Sequence, residues 1–214
     1  MTTLQALICD LDMTLIDSRH DIAAALARTL RAELGLTVAP DDAARLIGKP
    51  LRHMVRALAP DADRDAVLRC IDHYKRDFFE HCVVQTTIYP GVTRTLSALR
   101  ERGVKIAVAT TKMSFMARRV CRALELDDLL DHVQGTDDFP AKPDPSVILR
   151  ACAALGVAPE QAAVVGDTTM DVHAAIAAGA TAVAVTYGVD DPAALRAAEP
   201  HHLFDEFAAV ATLF

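Results

Sequence analysis

Tryptophan is absent from this sequence of 214 residues, and aromatic residues make up only 5% of it. The formal net charge is -7, so the chain also lacks a basic surplus. Nucleic-acid-binding modules need basic patches interleaved with aromatic side chains. We therefore expect no nucleic-acid partner. With 52% hydrophobic and 24% charged residues, the composition is that of an ordinary protein with a full core.

Long apolar runs and paired cysteines are missing as well. No stretch approaches the roughly 20 apolar residues that a membrane span needs. The amino terminus lacks the basic and apolar regions of a secretion signal, so we expect no membrane contact and a cytoplasmic location. The five cysteines are scattered and form no CxxC pair, so we predict neither a disulfide framework nor a zinc site. We interpret them as buried, reduced thiols: Cys9, Cys70, Cys82, Cys121 and Cys152.

Near the amino terminus, a short apolar run ends in two carboxylates, Asp10 and Asp12. Such a run predicts a buried β-strand that delivers acids to its carboxyl end, where open α/β sheets bind their ligands. Taken alone, an acid pair of this kind is often only a solvated turn or a helix cap. Its meaning depends on what later segments of the chain place beside it.

Two contrasting patterns divide the rest of the chain. Apolar residues at helical spacing predict that residues 14–90 are wholly helical. From residue 91 onward, helices alternate with apolar strands, which is typical of right-handed crossovers and a parallel sheet. The predicted fold is therefore α/β. Residues 1–13 and 91–214 form a doubly wound, Rossmann-like parallel sheet, and the α-helical subdomain 14–90 is inserted after the first strand.

Four strand ends or loops carry polar residues suited to phosphoryl transfer: Asp10 with Asp12, Thr110, Lys142, and Asp167 with Asp171. This reaction needs a nucleophile, neutralisation of the equatorial oxygens and an acid for the leaving oxygen. Asp10 fits a nucleophile that forms an aspartyl-phosphate, and Asp12 fits the general acid/base. Because only Lys142 would face the four carboxylates, they would repel a phosphate. A divalent cation with oxygen ligands is therefore also expected.

The order and context of these motifs resemble the haloacid dehalogenase superfamily. Within it, the chain is most similar to phosphoglycolate-phosphatase-like members of the phosphatase branch that carries a helical cap. Their characteristic patterns occur here at residues 17–25, 89–92, 142–145 and 166–171, and the resemblance covers essentially the whole chain. It implies a magnesium-dependent phosphatase that hydrolyses a small organic phosphate monoester.

The resemblance also implies roles for individual residues. Magnesium would be bound by the Asp10 and Asp167 carboxylates and by the backbone carbonyl of Asp12. Lys142 would hold the nucleophile and the transferring oxygens. We assign to Thr110, with help from Thr111, a hydrogen bond to a phosphoryl oxygen. We assign to Asp171 the orientation of Lys142 or of metal-bound water.

Two residues bear on substrate selectivity. Met13 stands where most relatives have glycine, so it must either adopt a permissible backbone conformation or narrow the entrance, and we expect altered selectivity with the chemistry retained. Lys49, in the sequence Gly48-Lys49-Pro50, interrupts a helical region inside a basic run. It could present a cation to an anionic leaving group such as glycolate, or it could simply be solvated. Both interpretations stay open.

Other functions remain compatible with parts of this pattern. A sugar-phosphate mutase of the β-phosphoglucomutase type shares the core and the helical cap, and His20 is compatible with this function. For a phosphatase, pyrophosphate and nucleoside monophosphates are further candidate substrates. A dehalogenase or a phosphonatase does not need the second acid, so Asp12 disfavours both. A phospho-receiver domain also combines acids, a threonine and a lysine. The insertion after the first strand and the late acid pair disfavour that interpretation.

Overall fold

The computed structural model describes residues 3–214, which form two compact units. The core unit comprises the chain up to Ile16 together with Ile88–Phe214, and the helical unit comprises Asp17–Thr87. The boundaries at 16/17 and 87/88 lie slightly inside the 14–90 segment that the sequence suggests.

Within the described residues the chain forms eight β-strands: β1 (Ala6–Cys9), β2 (Ile16–Asp17), β3 (Thr87–Ile88), β4 (Lys105–Ala109), β5 (His132–Gln134), β6 (Ala162–Gly166), β7 (Thr181–Val185) and β8 (His202–Phe204). The α-helices are α1 (Arg19–Leu34), α2 (Pro40–Ala44), α3 (Leu51–Leu58), α4 (Arg64–His81), α5 (Val92–Glu101), α6 (Ser114–Ala123), α7 (Ser146–Leu155), α8 (Thr169–Ala178) and α9 (Pro192–Ala197). Short 3₁₀ helices span Asp127–Leu129, Pro159–Gln161 and Phe207–Leu213.

A six-stranded parallel sheet in the order β5-β4-β1-β6-β7-β8 organises the core unit. The central strand β1 aligns Ala6 with Lys105 of β4 and with Ala162 of β6. Every residue of β1 and β6 is buried, as expected for strands covered on both faces. The predicted α/β fold with a parallel sheet is confirmed.

Small side chains dominate the packing between this sheet and the helices on one of its faces. Ala6 and Ile8 of β1 belong to a buried cluster with α7, α8 and their neighbours, and alanine is its commonest residue. Leu7 and Cys9 alternate with them along the strand and are fully buried on the other face. Helices can therefore approach the sheet closely, and burial of this apolar surface stabilises the core unit.

The helical unit is built from α1 to α4, with α1 packed along α4. The Arg28 guanidinium of α1 donates from Nε to Asp77 Oδ1 at 2.9 Å and from Nη2 to Asp77 Oδ2 at 2.6 Å, which ties α1 to α4. Asp21, in the first turn of α1, is buried and accepts hydrogen bonds from the backbone of residues 84–86. The segment 14–90 is not wholly helical as predicted, because its ends form the paired strands β2 and β3.

All five cysteines are buried free thiols, which confirms their interpretation as reduced core residues. Among residues 3–214, the structure contains no helix with the length and apolar character that a membrane crossing requires.

Candidate active site

The carboxyl ends of three neighbouring strands bring most of the predicted residues to one edge of the sheet. Asp10 follows β1, Thr110 follows β4 and Asp167 follows β6, and these strands are adjacent in the sheet. Backbone pairing continues past the strand ends, since the Asp10 N–H donates to the Val165 carbonyl at 2.8 Å. The position of each side chain is therefore set by the sheet itself.

Lys142 lies at the centre of the acid cluster. Its ammonium Nζ donates to Asp10 Oδ1 at 2.7 Å and to Asp171 Oδ1 at 2.6 Å, and the residue is only 4% exposed. Burial favours the neutral amine, but the two carboxylates outweigh it and raise the pKa of Lys142. At Asp10, burial disfavours the charged carboxylate and raises the pKa to about 7. Lys142 offsets only part of this desolvation, and Asp171 adds repulsion.

Asp167 is held by two donors, one to each carboxylate oxygen. The Thr14 hydroxyl donates to Oδ1 at 2.7 Å, and the Val189 N–H donates to Oδ2 at 2.8 Å. Burial, followed by the charges of Asp171 and Asp10, raises the pKa of Asp167 well above its ordinary value. A Cβ atom at Gly188 would overlap the Asp167 carboxylate, so the chain can pass this close only without a side chain.

Asp171 caps the start of α8 and also binds Lys142. It forms a capping box at the start of α8, in which its Oδ2 accepts from the Thr168 N–H at 3.0 Å and from the Thr168 hydroxyl at 2.5 Å. Its Oδ1 accepts from Lys142. A Cβ atom at Gly166 would overlap the Asp171 side chain. Asp171 therefore has a fixed orientation toward Lys142.

Asp12 is paired with a residue that the sequence analysis missed. Lys112 Nζ lies 3.0 Å from Asp12 Oδ2, with the two side chains 7% and 11% exposed. The expectation that Lys142 alone faces the acids is therefore wrong, because a second ammonium enters the cluster from the loop after β4. The signal that could have revealed it is a lysine two residues beyond the strand-end Thr110.

Comparison with known proteins identifies the family. Residues 7–185 match the family model described as haloacid dehalogenase-like hydrolase. The chain belongs to this family. It is 35% identical to the phosphoglycolate phosphatase of Aquifex aeolicus (strain VF5), with 86% of each chain covered. It is 36% identical to that of Nitrosospira multiformis, with 88% of this chain and 86% of the relative covered.

A solved structure described as a predicted phosphoglycolate phosphatase from Haemophilus somnus 129PT has a TM-score of 0.90 at 26% identity and covers 100% of this chain and 99% of its own. The protein is therefore a phosphatase of the haloacid dehalogenase type, and the resemblance noted in the sequence is confirmed.

Thr110 lies at the end of β4 and is only 1% exposed. Its hydroxyl oxygen accepts from the Lys112 N–H at 3.2 Å, and a hydroxyl can donate to a phosphoryl oxygen while it accepts. Its carbonyl accepts from the Thr136 hydroxyl at 3.0 Å. Thr111 follows and is half-buried. Their contact with substrate stays a prediction.

Met13 adopts the conformation that a glycine would favour. Its φ is 66°, in the left-handed region, and its side chain is 1% exposed. The Met13 sulfur accepts from the Tyr89 hydroxyl at 4.0 Å, and the Tyr187 hydroxyl donates to the Thr14 carbonyl at 2.7 Å. The rings of Tyr89 and Tyr187 are 4.6 Å apart. The loop after β1 is thus held by two tyrosines that contact each other.

Lys49 belongs to the helical unit, whereas the acids and lysines of the cluster belong to the core unit. Its side chain is exposed, and its N–H donates to the Leu46 carbonyl at 3.2 Å. Its predicted role toward substrate stays a prediction.

Phosphatases of this family are generally magnesium-dependent. Among residues 3–214, no group of three or more His, Cys, Asp or Glu side chains is arranged to hold a metal. The predicted set differs from such a group, because it combines the carboxylates of Asp10 and Asp167 with a backbone carbonyl. These donors fit magnesium: they are hard oxygen ligands. Burial and, after it, neighbouring carboxylates raise the pKa values of both acids, and a divalent cation would offset this by favouring their charged forms.

Proposed function

We propose that this phosphatase hydrolyses a small anionic phosphate monoester through an aspartyl-phosphate on Asp10. The observation that carries the proposal is the position of Asp10, at the end of the central strand and 2.7 Å from the Lys142 ammonium. A carboxylate in this position can attack phosphorus, and Lys142 can neutralise charge on the transferring oxygens.

Two half-reactions follow from these residues. In the first, an Asp10 oxygen bonds to phosphorus as the ester P–O bond breaks, and Asp12 gives its proton to the departing oxygen. In the second, Asp12 takes a proton from water as that water attacks phosphorus, and the bond to Asp10 breaks. Inorganic phosphate leaves and both acids return to their starting states.

Magnesium is the cofactor we propose, held by Asp10, Asp167 and the Asp12 carbonyl. When bound, it would neutralise part of the charge of the carboxylates and of the phosphate. It would also favour the ionised form of Asp10, which the attack on phosphorus requires, against the effect of burial. Lys142 keeps its positive charge throughout, because two carboxylates face it.

Phosphoglycolate is the substrate that we propose, since the relatives at about 35% identity are named for it. The acid cluster acts only on the phosphoryl group, so selection of the rest of the substrate is assigned to the helical unit. Lys49, exposed on that unit, is the residue that we propose for the glycolate carboxylate.

The experiment is a phosphate-release assay on a panel of esters that includes phosphoglycolate, pyrophosphate and nucleoside monophosphates. Activity should require magnesium and should disappear in Asp10→Asn, whereas Asp128→Asn, which changes an exposed acid, should behave as the unaltered protein. Mass spectrometry of a rapidly quenched reaction should find one phosphoryl group on the Asp10 peptide. Full activity in excess EDTA, or an active Asp10→Asn, would refute the mechanism.

A further inference from the structure

The Lys112–Asp12 pair lies outside the contacts that Lys142 makes. Lys112 Nζ is 3.0 Å from Asp12 Oδ2, whereas Lys142 contacts Asp10 and Asp171. Asp10 and Asp12 are two residues apart in the chain, yet each is paired with its own ammonium group. The two lysines come from different loops, one before α6 and the other before α7. Asp10 and Asp12 are therefore each contacted by a lysine from a different loop.

The loop that carries Lys112 is fastened to the segment after β5. The Lys112 carbonyl accepts from the Thr136 N–H at 2.9 Å. Ser114 donates to Asp137 twice, from its N–H at 2.9 Å and from its hydroxyl at 2.7 Å. A Cβ atom at Gly135 would overlap the backbone of residues 112–114, so this close approach depends on a glycine. These contacts hold the backbone of Lys112 in place.

This fixed backbone directs a buried ammonium to one oxygen of Asp12. A carboxyl group has two oxygens in one plane, so a contact at Oδ2 sets the direction of Oδ1. Proton transfer to a leaving group needs the donor within hydrogen-bond reach, and a displacement of about 1 Å is costly in rate.

We propose that Lys112 is a positioning residue that holds the Asp12 carboxyl group in the orientation for protonating the leaving oxygen. This role rests on the proposed function, in which Asp12 is the general acid. It differs from direct binding of a phosphoryl oxygen by Lys112, which would strengthen the binding of every phosphate ester to a similar extent.

Steady-state kinetics of Lys112→Met separates these roles. We expect kcat for an alkyl phosphate to fall by about 10- to 100-fold, as for other residues that orient a catalytic group, with little change in KM. An aryl phosphate with a good leaving group needs less protonation and should lose less. Lys112→Arg should recover part of the activity. Arg122→Met, which removes a cation from the exposed face of α6, is the matched control and should leave both constants unchanged.

The double variant Asp12→Asn/Lys112→Met is the decisive comparison. If Lys112 acts through Asp12, the double variant should be no slower than Asp12→Asn alone. Multiplied losses, or an equal rise in KM for both ester types, would overturn the proposal.

Crystal structures test the same point without turnover. In Lys112→Met the Asp12 side chain should leave its orientation in the unaltered protein, and an unmoved Asp12 would also overturn the proposal. Failure of the unaltered protein to release phosphate from any ester would instead refute the proposed function, and the orientation of Asp12 would still decide whether Lys112 positions it.

Discussion

Asp21 provides a stringent test of how the helical unit is held together. Its carboxylate is only 3% exposed. Oδ2 accepts hydrogen bonds from the N–H groups of Val84, Gln85 and Thr86 at 2.9, 3.0 and 2.8 Å, and from the Thr86 hydroxyl at 2.6 Å. One side chain in the first turn of α1 thus satisfies three consecutive backbone donors that lie more than sixty residues later.

Asp21→Asn keeps the shape of the side chain but replaces one acceptor oxygen with an amide that only donates. Hydrogen bonds to a charged group contribute about 1.5–3 kcal/mol each, so loss of the charge and of one or two bonds should cost about 3 kcal/mol. In a chain of this size, 1 kcal/mol corresponds to about 2–4 °C, so the melting temperature of the protein should fall by about 6–12 °C.

The pH dependence has a defined sign. Burial raises the pKa of Asp21, but the hydrogen bonds from Thr86, Val84 and Gln85 outweigh it and leave that pKa below its usual value. A carboxyl whose pKa is lowered by folding contributes its stability above the unfolded pKa of about 3.9 and loses it as the pH falls through the folded pKa. The difference in stability between the unaltered protein and the Asp21→Asn variant should therefore shrink below about pH 4.

Urea unfolding followed by circular dichroism, at about pH 7 and again below about pH 4, measures this difference. Asp72→Asn, which alters an exposed acid on α4 of the same unit, is the control. Asp21 does not stabilise the helical unit in this way if Asp21→Asn costs no more than Asp72→Asn at neutral pH, or if its cost is undiminished in acid.

Three further changes test the assignments made at the site and on the helical unit. Asp12→Asn should retain magnesium binding, measured by calorimetry, while turnover of an alkyl phosphate slows by about 10²- to 10⁴-fold; a loss of the same size for an activated aryl phosphate would contradict its role as the leaving-group acid. Met13→Gly should relieve about 1 kcal/mol of left-handed backbone strain but lose about 2–5 kcal/mol of buried side chain, so urea unfolding should show a net loss of stability. An unchanged midpoint would show that burial of the Met13 side chain contributes no more than the backbone strain costs, about 1 kcal/mol. Lys49→Ala should raise KM at least about tenfold for carboxylated phosphates and leave neutral esters unaffected, whereas equal effects on both would indicate that Lys49 is simply solvated.

The predictable part of the site is the part that the sheet determines. A fully buried strand such as β1 is recognisable as an apolar run, and parallel strands end at a common edge, so the meeting of Asp10 with Asp167 followed from the sequence. Lys112 did not follow, because the direction of its side chain depends on contacts between its loop and residues 135–137. The role of Asp21 did not follow from the sequence either, since the residues that donate to it are more than sixty residues later in the chain.

Gly188 and Gly166 carry no functional group, yet each borders a carboxylate of the acid cluster so closely that a methyl group would displace it. A systematic replacement of every residue should therefore mark both positions as sensitive as the acids themselves. Such a result would invite a search for a chemical role where there is none. These two glycines leave room for the neighbouring carboxylates. A substitution at either position could therefore abolish activity while every reactive group remained in place.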